Sequence, residues 1–98
     1  MQFDALTTYH SASEFKKKNF EEKSEKMFLR ILSFSIDPEL KGKACFHLGE
    51  LQLRNKNYIM ALSYMKRAIQ NYFKHGHAFS YLYLLIMLTE EETGAEKK

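Results

Sequence analysis

Few residues of this chain interrupt or cross-link its backbone. The sequence has a single cysteine, Cys45, a single proline, Pro38, four glycines and no tryptophan. One cysteine cannot form an intramolecular disulfide, so nothing in the sequence points to an oxidising compartment. Leu, Lys, Glu, Phe and Tyr are plentiful instead, and this composition favours an all-helical fold.

Long apolar runs are lacking as well. The longest apolar-rich run, 81–88, is far too short to span a bilayer, and no basic segment followed by an apolar run marks a secretion signal. We therefore expect a cytoplasmic protein without a membrane segment. A length of 98 residues predicts one domain with a modest core, so that function lies on a surface or in a shallow groove.

Apolar residues spaced three and four apart, together with capping signals, predict five helices. Within the first, Ser11 to Glu14 have capping-box spacing, which indicates either a new helix start or polar surface positions inside one helix. Asn19 suits a left-handed helix end, and Asp37 with Pro38 suits the start of the third helix. The predicted helices are 3–18, 21–35, 39–54, 58–73 and 77–90, in a single domain 1–92 followed by a disordered tail 93–98.

The helices repeat as hairpins. The segment 78–83 repeats the pattern of small and large residues of the segment 44–49, 34 residues earlier. The turn 55–57 is short enough to force antiparallel packing of the helices that flank it. A second echo, at a shift of 38, aligns Lys18-Asn19-Phe20 with Lys56-Asn57-Tyr58. Gly49 lies in mid-helix, where glycine costs about 1 kcal/mol relative to Ala, and this predicts the close approach of a neighbouring helix.

These residues resemble the tetratricopeptide repeat (TPR) family over about 10–88. The central copy matches the family pattern at Cys45, Leu48, Gly49, Tyr58, Ala61, Met65 and Ala68, and the last helix at Ala78, Phe79, Leu82 and Ile86. Departures from the pattern are Cys45 for the usual Trp, Gln52 for the usual Tyr, and Lys56 for the usual turn Gly.

The resemblance implies a right-handed stack of hairpins whose first helices line a concave face for a peptide or a partner helix. On this chain the concave face would comprise Lys43, Phe46, His47, Glu50, Leu53, Arg54, His77, Ser80, Tyr81, Leu84 and Leu88. Family members that grip a terminal carboxylate use Lys and Asn at set places on this face. Phe46 and Glu50 hold those places here, so that clamp is expected to be absent.

The fifth helix is apolar nearly all round. Phe79, Leu82, Tyr83 and Ile86, with Ala78, would form the packing face of a repeat. Its other sides remain apolar too, and such a helix needs a cover. The cover can be the peptide ligand of the concave face, a partner helix from a second chain, or a further part of a longer protein. The candidates for an oligomer interface are Tyr81, Leu84, Leu85, Met87 and Leu88, which predicts a possible homodimer.

The residues that could support chemistry do not assemble into a catalytic or metal site. His75 and His77 lack a third ligand nearby, whereas a catalytic zinc site needs three protein ligands. Cys45 and His47 are two apart on a helix and do not face each other. No phosphate-binding loop or Ser-His-Asp set is present. We therefore expect no enzymatic activity, no metal and no cofactor.

The leading hypothesis is a non-catalytic protein-protein interaction module that binds a peptide or helix, with Lys43, Glu50 and Arg54 setting its orientation. The alternative is a homo-oligomeric subunit that pairs through helix 77–90. Nucleic-acid binding through Lys16 to Lys18, Lys41, Lys43 and Arg54 ranks below both. The net charge is only +3 and the cations are interleaved with Glu, so the attraction to phosphates is weak.

Overall fold

The computed structural model describes residues 4–71 and 76–94, and within the second range the side chains from 79 to 91. Five helices make up the described residues, which contain no strand: α1 (Ala5–Lys17), α2 (Glu21–Phe34), α3 (Pro38–Arg54), α4 (Tyr58–Gln70) and α5 (Gly76–Gly94). The predicted all-α class is thereby confirmed. No helix among the described residues is both long enough and apolar enough to cross a membrane.

The helix ends lie close to the positions expected from the sequence. α1 runs without a break through 11–14, so these polar positions lie inside one helix. α5 continues beyond the predicted end at residue 90, so residues 93 and 94 of the predicted tail are helical. Residues 95–98, like 72–73 of the predicted fourth helix, lie outside the described residues.

Local chemistry sets several of these ends. The Asp37 side chain accepts a hydrogen bond of 3.0 Å from the backbone N–H of Glu39, and Pro38 occupies the first turn of α3, as predicted. The left-handed conformation expected of Asn19 is confirmed by its φ of 65°. Lys56, at the place of the family's turn glycine, has a similar φ of 62°. Both turns therefore reverse the chain at a left-handed residue.

Consecutive helices pack against each other, and α1 also touches α3. The first core lies among α1, α2 and α3 and consists of Ala12, Phe28, Ile31, Leu40, Ala44, Leu48 and Leu51. The second core lies among α3, α4 and α5 and consists of Cys45, Phe46, Ala61, Met65, Ala68 and Leu85. Since α3 contributes to both cores, it is the central helix of the array.

The two hairpins are related by 37 residues, so the predicted shift of 38 is wrong by one. The buried residues of α2 are Ser24, Phe28 and Ile31, and those of α4, 37 positions later, are Ala61, Met65 and Ala68. The turn hydrogen bond from Phe20 N to Phe15 O, 2.8 Å, likewise recurs from Asn57 N to Gln52 O, 2.9 Å. The predicted shift aligned Lys18-Asn19 with Lys56-Asn57. The residue in the left-handed conformation, however, is Asn19 in the first turn and Lys56 in the second, and these two residues are 37 positions apart.

α3 and α4 approach each other closely at Gly49. A Cβ atom at this position would lie 2.8 Å from Met65 Cε and 3.4 Å from the backbone oxygen of Ala61. The predicted reason for a mid-helix glycine is confirmed, because a side chain here would displace Met65 from the second core.

Candidate functional site

His47 lies at the centre of a cluster built by α1, α2 and α3. Tyr9 and Lys16 are seven residues apart and therefore project from one side of α1. Tyr9 Oη lies 2.9 Å from His47 Nε2, and Lys16 Nζ lies 2.9 Å from His47 Nδ1. The Phe28 ring stacks on the imidazole with a centroid distance of 4.9 Å. Both ring nitrogens of His47 are thus engaged by protein side chains.

The tautomer of His47 follows from these partners. The Lys16 ammonium can only donate, so in the neutral ring Nδ1 accepts from Lys16 and the Nε2–H donates to Tyr9. Protonation of Nδ1 would turn that nitrogen into a donor to Glu50 Oε1, which lies 3.3 Å away. In the neutral ring each nitrogen therefore has a hydrogen-bond partner.

Glu50 completes what we call the His47 cluster (Tyr9, Lys16, Phe28, His47 and Glu50). Its carboxylate forms an ion pair with Lys16, and its side chain is only 22% exposed. Burial by itself would raise the pKa of Glu50. A hydrogen bond from His47 when Nδ1 carries a proton, and the hydrogen bond and positive charge of Lys16, outweigh burial and lower the pKa of Glu50 to about 2. The carboxylate is therefore ionised at neutral pH.

The same face continues onto α5. The ring of Phe46 lies against that of Tyr81, with centroids 5.7 Å apart. Burial, and then the nearby carboxylate of Glu50, raise the pKa of the Tyr81 phenol. Leu84 and Leu88 follow Tyr81 at helical spacing. Residues of α1, α3 and α5 thus lie on one face (Tyr9, Lys16, His47, Glu50, Tyr81, Leu84 and Leu88), which we call the groove.

A cavity of about 560 Å³ opens beside the His47 cluster, between α1 and α3. Its lining is mostly basic or hydroxyl-bearing and consists of Tyr9, His10, Ser13, Lys16, Lys17, Asn19, His47 and Arg54. Arg54 lies 3.0 Å from the carboxylate of Glu21 on α2, so its charge is partly balanced. The groove is polar at this end and apolar at the α5 end.

The residues of α3 predicted for the concave face differ in exposure. Phe46 is 7% exposed and belongs to the second core, while Leu53 is partly buried beside it. Lys43 lies 3.7 Å from Glu39 within α3. Glu50 and Arg54, which were expected to orient a ligand, are paired with Lys16 and Glu21 respectively.

The predicted residues of α5 are distributed over three sides of the helix. Ser80 and Leu84 are exposed and Tyr81 and Leu88 are half-buried. Tyr81, Leu84 and Leu88 share one side of the helix, whereas Ser80 lies on the same side as Met87, seven residues later. Of the proposed oligomer residues, Leu85 is fully buried in the second core, which corrects its assignment to an external interface, and Met87 points away from both groove and core. The side chain of His77 lies outside the described residues.

The packing face predicted for α5 also needs correction. Leu82 packs on the second core, but Phe79, Tyr83 and Ile86 are 50%, 70% and 37% exposed. These three residues would pack only if another helix covered them, and none of the described helices does so.

Sequence reasoning missed the contribution of α1 to the site. Tyr9 was interpreted only as an apolar helix position, and Lys16 as a helix-end cation and a candidate for nucleic-acid binding. No signal in the sequence pointed to this pair, because the 37-residue register that relates α1 to α3 places Leu53, and not Glu50, at the position equivalent to Lys16.

Nothing in the described part of the chain resembles a metal centre or a reactive thiol. Within it, no three His, Cys, Asp or Glu side chains are grouped so as to hold a metal ion. His75 lies outside the described residues. Cys45 is buried in the second core, and burial raises the pKa of its thiol, which keeps it protonated at neutral pH.

Comparisons with models of known protein families, with curated proteins and with solved structures find no match to this chain. The resemblance to tetratricopeptide repeats therefore depends on the residue pattern of the sequence alone.

Proposed function

We propose that this chain is a cytoplasmic, non-catalytic protein-interaction module, a short right-handed TPR-like array that binds a peptide or helix of a partner protein in the groove. The main observation in support of the proposal is that side chains of α1, α3 and α5 neighbour one another on one face. Lys16 of α1 pairs with Glu50 of α3, which also neighbours Tyr81 of α5.

The His47 cluster supports binding because it fixes the bottom of the groove before a ligand arrives. Its ring nitrogens, ammonium and carboxylate are all engaged with one another. A preorganised surface loses little conformational entropy on association, so more of the contact energy contributes to affinity.

The two ends of the groove favour different parts of a ligand. Leu84 is 43% exposed and offers an apolar contact beside Leu88. At the other end His10, Lys17 and Arg54 line the cavity and can donate hydrogen bonds. An amphipathic segment, apolar towards α5 and bearing acceptors towards α1, fits this arrangement.

Ion pairing supports a protein partner over nucleic acid. Of the cations considered for phosphate binding, Lys16, Lys17, Lys43 and Arg54 each lie within 4.0 Å of a Glu carboxylate. Cations paired in this way give a weaker positive field than an unopposed basic patch.

Selection from a phage-displayed library of random peptides tests the proposal. Peptides enriched on the wild-type protein should lose most of their binding to Leu84→Glu, which places a charge in the apolar end of the groove. Ile59→Glu is the matched control, since Ile59 is 67% exposed on α4. Binding to this control should equal binding to the wild type.

Two outcomes would contradict the groove. One is enrichment of no peptide above background, and the other is binding that Leu84→Glu and Ile59→Glu weaken equally. Strong retention of RNA or DNA at low salt, lost on adding salt, would instead favour the nucleic-acid hypothesis.

A further inference from the structure

A second apolar surface lies on α5, away from the groove. Phe79, Tyr83, Ile86 and Met87 recur at helical spacing and form one stripe, which we call the outer face. Their exposures are 50%, 70%, 37% and 54%. Leu84 and Tyr81 lie on a different side of the helix, so the outer face is separate from the groove.

The outer face of α5 corresponds, at a shift of 34 residues, to the surface of α3 that packs against α4. The α3 residues 34 positions before Phe79, Tyr83 and Ile86 are Cys45, Gly49 and Gln52, all buried where α4 packs on α3. The outer face is therefore the surface on which a next helix would pack in the array.

The side chains at corresponding positions of α3 and α5 differ in size, and this difference limits which surfaces can pack on α5. Gly49 lets α4 approach α3 closely, whereas Tyr83 projects a large ring from the corresponding place. A partner for the outer face must accept projecting aromatic side chains, as another surface of the same kind can by interdigitation.

We infer that the outer face pairs with the outer face of a second copy of this chain, with the two α5 helices antiparallel about a two-fold axis. Residues 77–89 contain no Asp, Glu, Lys or Arg. Two such stretches can meet without opposing like charges. Antiparallel pairing also places Glu90 and Glu91 of the two copies at opposite ends, whereas parallel pairing would bring them together.

The available area fits a dimer of modest strength. With about 150–250 Å² per aromatic side chain, the exposed fractions leave roughly 400 Å² of outer face on each copy. Two copies would bury roughly 800 Å² in total, which is below the roughly 1,200–2,000 Å² of stable specific interfaces and in the range of weak, transient ones. Dissociation at micromolar concentration or above is therefore expected.

Light scattering during gel filtration of the full chain over a dilution series tests the dimer. The wild-type mass should fall from dimer to monomer on dilution, and Tyr83→Glu should be monomeric throughout. Leu84→Glu, a matched change on the groove side, should keep the wild-type dilution curve. Far-UV circular dichroism checks that both variants are folded.

Cysteine cross-linking tests the antiparallel geometry. Phe79 and Met87 lie symmetrically about Tyr83, so the two-fold axis passes near Tyr83 and Tyr83→Cys should form a disulfide-linked dimer on oxidation. The two copies of Met87→Cys would lie about 12 Å apart along the axis, given about 1.5 Å per residue, and should not cross-link. The native Cys45 is buried.

A monomeric wild type up to about 1 mM would overturn the inference, as would a dimer that Tyr83→Glu leaves intact. Cross-linking of Met87→Cys as efficient as that of Tyr83→Cys would overturn the antiparallel arrangement. These outcomes do not bear on peptide binding in the groove, because the test of peptide binding substitutes Leu84 and not Tyr83.

Discussion

At the scale of single residues, His47 is held by side chains far from it in the sequence. Tyr9 and Lys16 engage its two nitrogens from α1, and Phe28 covers its ring from α2. A partly buried imidazole is stable only if its nitrogens have partners. The cluster therefore holds α1 against α3. Packing between consecutive helices does not by itself join these two helices.

Glu50 makes the stability of this chain depend on acid. Its pKa is about 2 in the folded protein and near 4.5 when unperturbed, so the unfolded chain binds the proton more readily. The stabilisation is therefore complete above about pH 5 and is lost as the pH falls towards 2. Since about a fifth of the side chain is exposed, we expect a contribution of about 2–3 kcal/mol at pH 7.

Glu50→Gln should remove this contribution at pH 7 and approach the wild-type free energy of unfolding near pH 2, as measured by urea titration at several pH values. Glu39→Gln is the control, because its pair with Lys43 is an exposed i,i+4 pair worth a few tenths of a kcal/mol. Parallel pH profiles for Glu50→Gln and the wild type would contradict the assigned role.

At the scale of helices, the array depends on close contact at few places. α3 and α4 are joined by a short turn through the left-handed Lys56, and at Gly49 they are so close that a Cβ atom would contact Met65. A residue larger than Ala must displace more than the flexible end of Met65, which is fully buried.

Gly49→Leu is therefore expected to destabilise the protein by about 3 kcal/mol through overpacking. Gly49→Ala should change stability by less than about 1 kcal/mol, because the gain in helix propensity offsets a shift of the flexible end of Met65. Thermal and urea unfolding measure both variants. Equal costs for Leu and Ala would show that the helices can move apart at this point.

At the scale of the molecule, the array is most stable at its central helix, α3. α3 has buried residues along its whole length and joins the first core to the second. Among the described side chains of α5, only Leu85 is fully buried. Terminal elements of a stacked array have neighbours on one side only, so they open at lower free energy.

Hydrogen exchange should therefore find the slowest amides in α3 and faster exchange in α5, in dilute protein. If α5 pairs with a second copy, its protection should rise with protein concentration while that of α3 changes little. Equal protection of α3 and α5 at low concentration would contradict this order of stability.

The sequence alone determined the helical class, the five elements and most of their ends. Asp37, Pro38 and Asn19 act on backbone groups within a few residues, so their effects can be derived from the sequence pattern. Gly49 was also interpretable, because its cost in a helix indicates a tertiary reason.

Only the tertiary structure decided which faces meet. The partners of His47, the 37-residue register and the exposure of Tyr83 depend on contacts between segments distant in the chain. An apolar helix such as α5 offers several equivalent faces to a sequence pattern, and the packing of Leu85 into the second core selects one of them. That selection leaves the outer face exposed.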